Sequence, residues 1–546
     1  MQVFQVVIAL LVGGAALAAV ARRIGAPYPA LVALAGAALA LIPGTPTLTL
    51  DPELALALFV APVLVDSAFD SSPRDLARNW RPIASLALGA VALTIGVVAV
   101  VARMLVPEMS WAVAIALGAI VAPPDAAAAT TVLKQLRPPH RLLVILEGES
   151  LFNDASALIV YRIAVGATVT GFLSGWSVVP TLIIVSVGSV LLGLALSRLM
   201  LMVSARIRDV ATAVVVQFCG TFLVWILAEQ LHLSGIITLV VFAMASSRRA
   251  AEIVPARIRI PSWAVWEVAV FILNVLAFVL VGFQLKSISA RITGEIGRYA
   301  VIAGAVCAAV IVTRLVWVIG ASAFNRWHAA ARSRAVRRGP VELTAREAAV
   351  VGWCGMRGTV TLAAALALPT AGHGGAEFPF RDLILLTAFG VVLGTLVLQG
   401  LTLRPLLLKL KLEDDGTVER EVRLARTETL RAAVQAAVDC PGSEAAGLVR
   451  HRYELQLRRA ENVLVDGKRA IDQTSEAIAT EDSAAAWDAD IEVVRAATEA
   501  QRRRLVAMRA DGTIGDAAFQ RVEEELDWAE LDWAQVVRAE RPGGEG

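Results

Sequence analysis

Long apolar runs separated by short polar segments make up most of this chain. A run of about 20 apolar residues is long enough to cross the hydrocarbon core of a bilayer as a helix. Thirteen windows of this kind can be placed, at 3–21, 27–43, 52–69, 82–104, 110–134, 141–168, 178–204, 209–230, 233–247, 263–285, 298–322, 346–369 and 381–408. The pattern predicts an all-α polytopic membrane protein with about 13 transmembrane helices.

The distribution of Lys and Arg between these windows predicts the orientation of the chain. Basic residues follow the odd-numbered windows, for example Arg22 and Arg23 after the first and Lys134 after the fifth, and the alternate loops are nearly free of them. Because basic loops stay on the cytoplasmic side, we expect the N-terminus outside the cell membrane and the C-terminus in the cytoplasm. The alternation also supports the count, because one missed span would invert every later loop.

Composition divides the chain into two predicted domains. Overall it is 57% hydrophobic and 18% charged, which is too apolar for a soluble protein of this length. Beyond about residue 412 the chain becomes rich in Ala, Arg and Glu, with apolar residues such as Leu455 at helical spacing. We expect a transmembrane domain over 1–410 and a cytoplasmic helical domain over 411–546. That second domain either regulates the first or stabilises a dimer.

The sixth window carries a cluster of polar residues at membrane depth. Glu149, Ser150, Asn153 and Asp154 lie within six residues. On a helix, Ser150 and Asp154 share one stripe at i, i+4, and Glu149 and Asn153 share the next. A carboxylate in hydrocarbon is costly unless it meets a partner or a water-filled path. This geometry suits a carboxylate that holds a small cation and a proton in turn; the alternative is an acid that pairs with a buried Arg.

The fifth window is interrupted by Pro123-Pro124-Asp125. Two prolines remove backbone donors, so carbonyl oxygens are left free at membrane depth. Broken helices of this type line substrate sites in secondary transporters. The alternative is a proline kink in which Asp125 caps the half-helix that follows, and the two interpretations overlap.

Three further ionisable residues fall inside windows. Asp66 in the third is either a gate and auxiliary cation ligand or a hydrogen-bonded structural acid. Arg357, between glycines in the twelfth, is permanently charged and must be compensated, and we predict Glu149 as its partner. Arg314 in the eleventh is a second buried cation for which the sequence indicates no partner.

Several enzyme classes are disfavoured by missing motifs. No P-loop is found, and Gly148-Glu149-Ser150 lacks the second glycine of a nucleophile elbow. The four cysteines have no paired spacing, which argues against disulfides and a zinc site. We therefore expect no enzyme, no cofactor and no nucleic-acid partner.

At these motifs the sequence resembles the cation/proton antiporter family of the NhaP and eukaryotic sodium/proton exchanger type. The stretch from Leu146 to Asp154 resembles the exchange-site helix of the family. Gly355-Met356-Arg357-Gly358 resembles its glycine-arginine span, and the stretch from Asn274 to Gly282 matches a further family segment. The resemblance covers roughly residues 1–410.

The resemblance implies an inverted-repeat fold with two crossed, broken helices, a homodimer in the lipid bilayer, and exchange of a monovalent cation for H⁺. It implies that Asp154 is shared by cation and proton, that Asn153 orients it, and that Ser150 is a further cation ligand. Asp66, the auxiliary ligand suggested above, stands where the family more often has Glu. It also implies that Glu149 and Arg357 form a structural ion pair. Members with Asn-Asp at this site are generally electroneutral, exchanging one Na⁺ for one H⁺.

The clearest departure from the family pattern is at one motif. Pro124-Asp125-Ala126 stands where Thr-Asp-Pro is commoner, so the acid is kept and the Thr hydroxyl is lost, while Pro124 still offers its backbone carbonyl. Na⁺ is the expected cation, with Li⁺ or K⁺ and a K⁺/H⁺ antiporter as alternatives. A cation channel lined by Asp66, Asp125 and Asp154 and an intramembrane aspartyl hydrolase are the alternatives from other classes. No filter sequence supports the channel, and Arg357 nearby would oppose the proton sharing that the hydrolase needs.

Overall fold

The structure is a computed structural model in which every described element is helical. It describes residues 2–40, 54, 56–136, 138–170, 175–291, 296–332, 343–369, 378–412, 414–439, 444–466 and 484–539. These residues contain no β-strand, as the apolar pattern predicts.

Sixteen helices precede residue 414 in the described ranges. They are α1 Gln2–Ile24, α2 Tyr28–Ala40, α3 Ala61–Asp70, α4 Pro73–Arg78, α5 Trp80–Leu105, α6 Trp111–Val121, α7 Ala126–Leu136, α8 His140–Thr170, α9 Gly175–Ser204, α10 Val210–Gln230, α11 Gly235–Ile253, α12 Ala256–Arg291, α13 Ile296–Arg332, α14 Ala345–Trp353, α15 Thr359–Leu366 and α16 Arg381–Leu410. Two segments are π-helical: Leu56–Val60 in the third window and Ser85–Ala90 within α5.

A helix or a pair of helices lies at each of the thirteen predicted windows. Seven described spans are long and apolar enough to cross a bilayer by length and composition. The total of thirteen crossings stays a prediction, and residues 41–43 of the second window and 52, 53 and 55 of the third lie outside the described residues. The fifth window is split into α6 and α7 at its two prolines, because proline cannot donate the backbone hydrogen bond that continues a helix.

The twelfth window is split as well, into α14 and α15. Residues 354–358 between them are not helical. Thr344 begins α14 with a capping box, in which its hydroxyl accepts from the Glu347 amide and the Glu347 carboxylate accepts from the Thr344 amide. The chain therefore contains two interrupted helices, as the family resemblance implies.

Contacts within the chain separate two compact units. The first contains residues 1–206, 214–249 and 265–414, and the second contains 207–213, 250–264 and 415–546. The second unit includes α17 Thr417–Asp439, α18 Glu444–Asp466, α19 Ala484–Ala510 and α20 Asp516–Ala539. Two short segments that the sequence pattern assigned to the transmembrane domain therefore group with the helices of the tail.

A buried charge cluster joins these pieces of the second unit. The guanidinium of Arg259 donates to both carboxylate oxygens of Asp527, at 2.7 and 2.5 Å, and lies 3.0 Å from Glu523. Arg502 donates to the same Asp527 carboxylate at 2.5 Å. Burial raises the pKa of Glu523 from its ordinary value, outweighing the opposite effect of Arg259. Arg259 thus ties the segment 250–264 to α20.

Candidate functional site

The two interrupted helices meet at their breaks. The amide of Asp125, in the break between α6 and α7, donates to the carbonyl oxygen of Met356, in the break between α14 and α15, at 2.7 Å. A helix end leaves backbone groups without partners inside the helix, and at membrane depth these groups need other partners. Each break supplies such partners to the other.

Arg357 satisfies the carbonyl end of α6. Its guanidinium donates to the carbonyl oxygens of Val121 at 2.8 Å and Ala122 at 2.9 Å, and also to that of Gly355. Its own amide donates to the hydroxyl of Thr395 on α16, at 3.0 Å. A positive charge at the C-terminal end of a helix is attracted to the partial negative charge there, so the buried Arg357 is stabilised although no acidic residue in the described ranges pairs with it.

Asp125 occupies the complementary position at the amino end of a half-helix. One carboxylate oxygen accepts from the amide of Ala127 in the first turn of α7, at 2.8 Å, which confirms the predicted cap. The other oxygen packs against Gly358, where any β-carbon would overlap it. The amide of Thr359, the first residue of α15, also faces Asp125. A single carboxylate is therefore held at the positive ends of two half-helices.

Helix α8 passes beside these breaks without interruption and presents its polar stripes to them. The side-chain amide of Asn153 donates to the carbonyl oxygen of Pro124 at 2.8 Å. The hydroxyl of Ser150 accepts from the amide of Ala126 at 3.5 Å. The structure thus brings together Ser150, Asn153, Pro124 and Asp125, the group that the sequence predicted from two separate windows.

Asp154 stands next to this group and differs from it in having no partner. Its side chain is 5% exposed, and no hydrogen bond or ion pair reaches its carboxylate within the described ranges. Asp125 is near enough to repel it electrostatically. The Oδ1 oxygen of the neighbouring Asn153 is also buried without a partner among the described residues. A carboxylate and an amide oxygen left free side by side are suitable ligands for a hard cation.

The predicted ion pair between Glu149 and Arg357 is wrong. The carboxylate of Glu149 is bound by Arg314 of α13, whose Nη1 donates to Oε1 and whose Nη2 donates to Oε2 at 2.8 Å. The same Nη2 donates to the Val351 carbonyl oxygen of α14 at 3.1 Å. Gly355 lies against the Arg314 side chain, where a β-carbon would collide with it. Arg314 takes the acid because Arg357 is already engaged by backbone carbonyls.

Asp66 lies among a different set of groups. It is half-buried on α3, packs against Trp266, and has Asp70, Lys134 and Glu267 as its charged neighbours. Tyr28 lies near both Asp66 and Asp125. The role of Asp66 as a gate or ligand stays a prediction.

Comparison with known proteins agrees with this geometry. Residues 6–409 match the family described as "Sodium/hydrogen exchanger, transmembrane". The chain belongs to the sodium/hydrogen exchanger family. It is therefore a cation/proton antiporter, and the crossing of the two broken helices lies inside the matched region.

Named relatives and a solved structure extend the comparison. An uncharacterized Na⁺/H⁺ exchanger of Mycobacterium tuberculosis is 30% identical over 524 residues, 95% of this chain and 93% of that protein. A sodium, potassium, lithium and rubidium/H⁺ antiporter of Bacillus pumilus is 30% identical over 427 residues, 75% of this chain and 62% of that protein. The structure of a sodium proton antiporter from Methanocaldococcus jannaschii matches with a TM-score of 0.57 at 18% identity, covering 76% of this chain and 99% of that one.

Proposed function

We propose that this exchanger moves one Na⁺ against one H⁺, with Asp154 as the carboxylate that binds each in turn. The observation that carries the proposal is the difference between three neighbouring acids. Asp125 is held by backbone amides and Glu149 by Arg314, whereas Asp154 has no partner within the described ranges. Of these three acids, Asp154 alone can bind and release a ligand without breaking a hydrogen bond that holds the helices together.

Coupling follows from the burial of this acid. An ionised carboxylate with no partner is costly in a low-dielectric interior, and either Na⁺ or H⁺ removes that cost. If the site crosses between the two sides of the membrane only when Asp154 is neutralised, an empty charged site stalls. Each crossing then carries one ion or one proton, and the two fluxes are coupled without a cofactor.

The neighbouring Asn153 supports the electroneutral stoichiometry. Its amide supplies an oxygen for the cation and carries no titratable proton, so a single carboxylate at this position exchanges one proton for one monovalent cation. Ser150 and the Pro124 carbonyl complete the proposed surroundings of the cation. The Arg314–Glu149 pair and Arg357 brace the core.

The decisive experiment is Asp154→Asn in everted membrane vesicles, with proton movement followed by a pH-sensitive dye after addition of Na⁺. We expect Na⁺-driven proton movement to disappear, because an amide can neither release a proton nor balance a cation. Asp209→Asn, an exposed acid in a loop, is the matched control and should behave like the wild type. Coupled exchange that survives Asp154→Asn would overturn the assignment.

K⁺ is the alternative substrate, and one feature favours testing it. Neither Thr130 nor Thr131 supplies the hydroxyl of the family Thr at position 124, since both donate to the Ala127 carbonyl of their own helix. The Bacillus pumilus relative is described as acting on sodium, potassium, lithium and rubidium. Purified protein in liposomes, driven in turn by Na⁺, Li⁺ and K⁺ across a range of pH, separates a Na⁺ exchanger from a broad one.

The proposal also includes the orientation of the chain, its assembly and the role of the second unit. The basic loops support a cell-membrane protein with an external N-terminus and a cytoplasmic C-terminus. A homodimer is implied by the family resemblance. If the tail regulates transport, truncation after about residue 412 shifts the pH profile of exchange, whereas a tail that only stabilises a dimer changes the dimer fraction alone.

A further inference from the structure

Beyond Asp154, toward its C-terminal end, α8 packs into an apolar layer. This layer includes side chains from α8, from the residues that follow α15 and precede α16, and from α16, each less than one-tenth exposed: Ala157, Tyr161, Leu368, Phe378 and Leu385. Tyr161 lies seven residues after Asp154, which is nearly two turns and places it on the same face of α8 about 10 Å further along.

The opposite end of α8 is more polar and more open. Ser150, Asp125 and Asp66 are all half-buried rather than buried. Lys134 and Glu147 lie 3.7 Å apart on that side, and the Lys134 side chain is largely exposed. Asp154 therefore sits between a polar approach from the Lys134 end and an apolar layer at the Tyr161 end, which is the asymmetry expected of a transporter closed on one side.

Two hydroxyl groups within or beside this layer have no hydrogen-bond partner in the described part of the chain. One is the hydroxyl of Tyr161, whose side chain is 7% exposed, and the other is that of Thr387, which is fully buried on α16. Thr387 is four residues from both Leu383 and Val391, members of the same apolar cluster, so it shares their face of the helix. A buried hydroxyl without a hydrogen-bond partner destabilises the fold. We therefore expect these two hydroxyls to find partners in another state of the transport cycle.

We propose that Tyr161 and Thr387 are positioning residues for ion entry from the side that this structure closes. When the apolar layer separates, their hydroxyls supply oxygen contacts to the cation on its way to Asp154, in place of the water that the ion loses. Without such contacts a monovalent cation would meet only apolar side chains and the positive charges of Arg162 and Arg381, which lie near Tyr161. The inference rests on the proposed function, because it takes Asp154 as the destination of the ion.

Tyr161→Phe tests this idea, since it removes only the hydroxyl and keeps the ring that packs in the layer. Apparent Na⁺ affinity is measured separately at the two faces, in everted and in right-side-out vesicles. In the orientation that the basic loops predict, the Tyr161 end faces outward. We expect the KM for external Na⁺ to rise about three- to tenfold, the equivalent of one hydrogen bond, and the KM for internal Na⁺ to stay unchanged.

The thermal midpoint of unfolding separates this role from a structural one. Because the hydroxyl has no partner among the residues that the structure describes, Tyr161→Phe should leave the midpoint unchanged or raise it. Thr387→Val should produce the same one-sided change in KM. Tyr299→Phe is the matched control, because Tyr299 packs against the same cluster while remaining half-buried, and it should alter neither face.

The possible failures can be told apart when Asp154→Asn is measured alongside. If Asp154→Asn abolishes exchange while Tyr161→Phe affects both faces equally or neither, the entry role is wrong and the exchange site stands. A fall in thermal midpoint with Tyr161→Phe would also refute the entry role. If Asp154→Asn retains coupled exchange, the proposed function itself fails.

Discussion

Replacing Arg314 with Met should destabilise the first unit by about 3–5 kcal/mol, the cost of leaving one member of a buried ion pair unpaired. Arg314 is 2% exposed and Glu149 is 1% exposed. Met keeps much of the side-chain volume but removes both hydrogen bonds to the carboxylate and the one to Val351. Water cannot replace these bonds at such burial. A loss of about 4 kcal/mol lowers the ratio of folded to unfolded protein about a thousandfold.

A double-mutant cycle identifies the partner. Glu149→Leu combined with Arg314→Met removes both charges, and apolar residues in place of a buried pair are often tolerated, so the double variant should recover most of the loss. We expect a coupling energy of about 2–3 kcal/mol for Glu149 with Arg314, and below about 1 kcal/mol for Glu149 with Arg357.

Equilibrium unfolding in mixed micelles, with a denaturing detergent as titrant and tryptophan fluorescence as signal, supplies the free energies. The pairing would be refuted if Arg314→Met cost less than about 1 kcal/mol, or if the coupling with Arg357 exceeded that with Arg314. The second result would restore the pair that the sequence suggested and would mean that Arg314 faces another acid.

Three other predictions follow from the same contacts. Asn153→Asp adds a second titratable group beside the exchange site, so exchange should become sensitive to an imposed membrane potential in liposomes. Gly358→Ala places a methyl group on the Asp125 carboxylate, and overpacking there should destabilise by about 1–3 kcal/mol and reduce transport. The pKa of Glu523 is raised in the folded state, so the folded second unit binds a proton more tightly than the unfolded chain does. Hydrogen-exchange protection of α20 should therefore fall as the pH rises from the ordinary glutamate pKa through the raised pKa of Glu523. Glu523→Gln should weaken this pH dependence.

Matched variants check each of these predictions. Gly304→Ala adds a methyl group with no atom within 4 Å and should leave stability and transport unchanged. Glu524→Gln alters an exposed neighbour and should keep the pH dependence of the wild type. Voltage-independent exchange by Asn153→Asp would show that the residue at position 153 does not set the stoichiometry. Protection of α20 that rises with pH would reverse the sign assigned to Glu523.

The sequence by itself predicts most of the membrane architecture. The transmembrane spans can be predicted because each depends on the mean hydropathy of about 20 neighbouring residues and not on distant contacts. The break at Pro123-Pro124 and the cap formed by Asp125 are also local, since each depends on backbone groups within a few positions. The stripes on α8 follow from helical periodicity alone.

Tertiary structure decided which charges meet. Glu149 lies 165 residues from Arg314, and the pattern of the chain offered two buried arginines with nothing local to choose between them. The choice depends on the crossing of the broken helices, where the carbonyls of Val121 and Ala122 engage Arg357 and leave Glu149 to Arg314. The same packing leaves Asp154 without a partner in the described part of the chain, a property that depends on every surrounding element and that local sequence patterns do not determine.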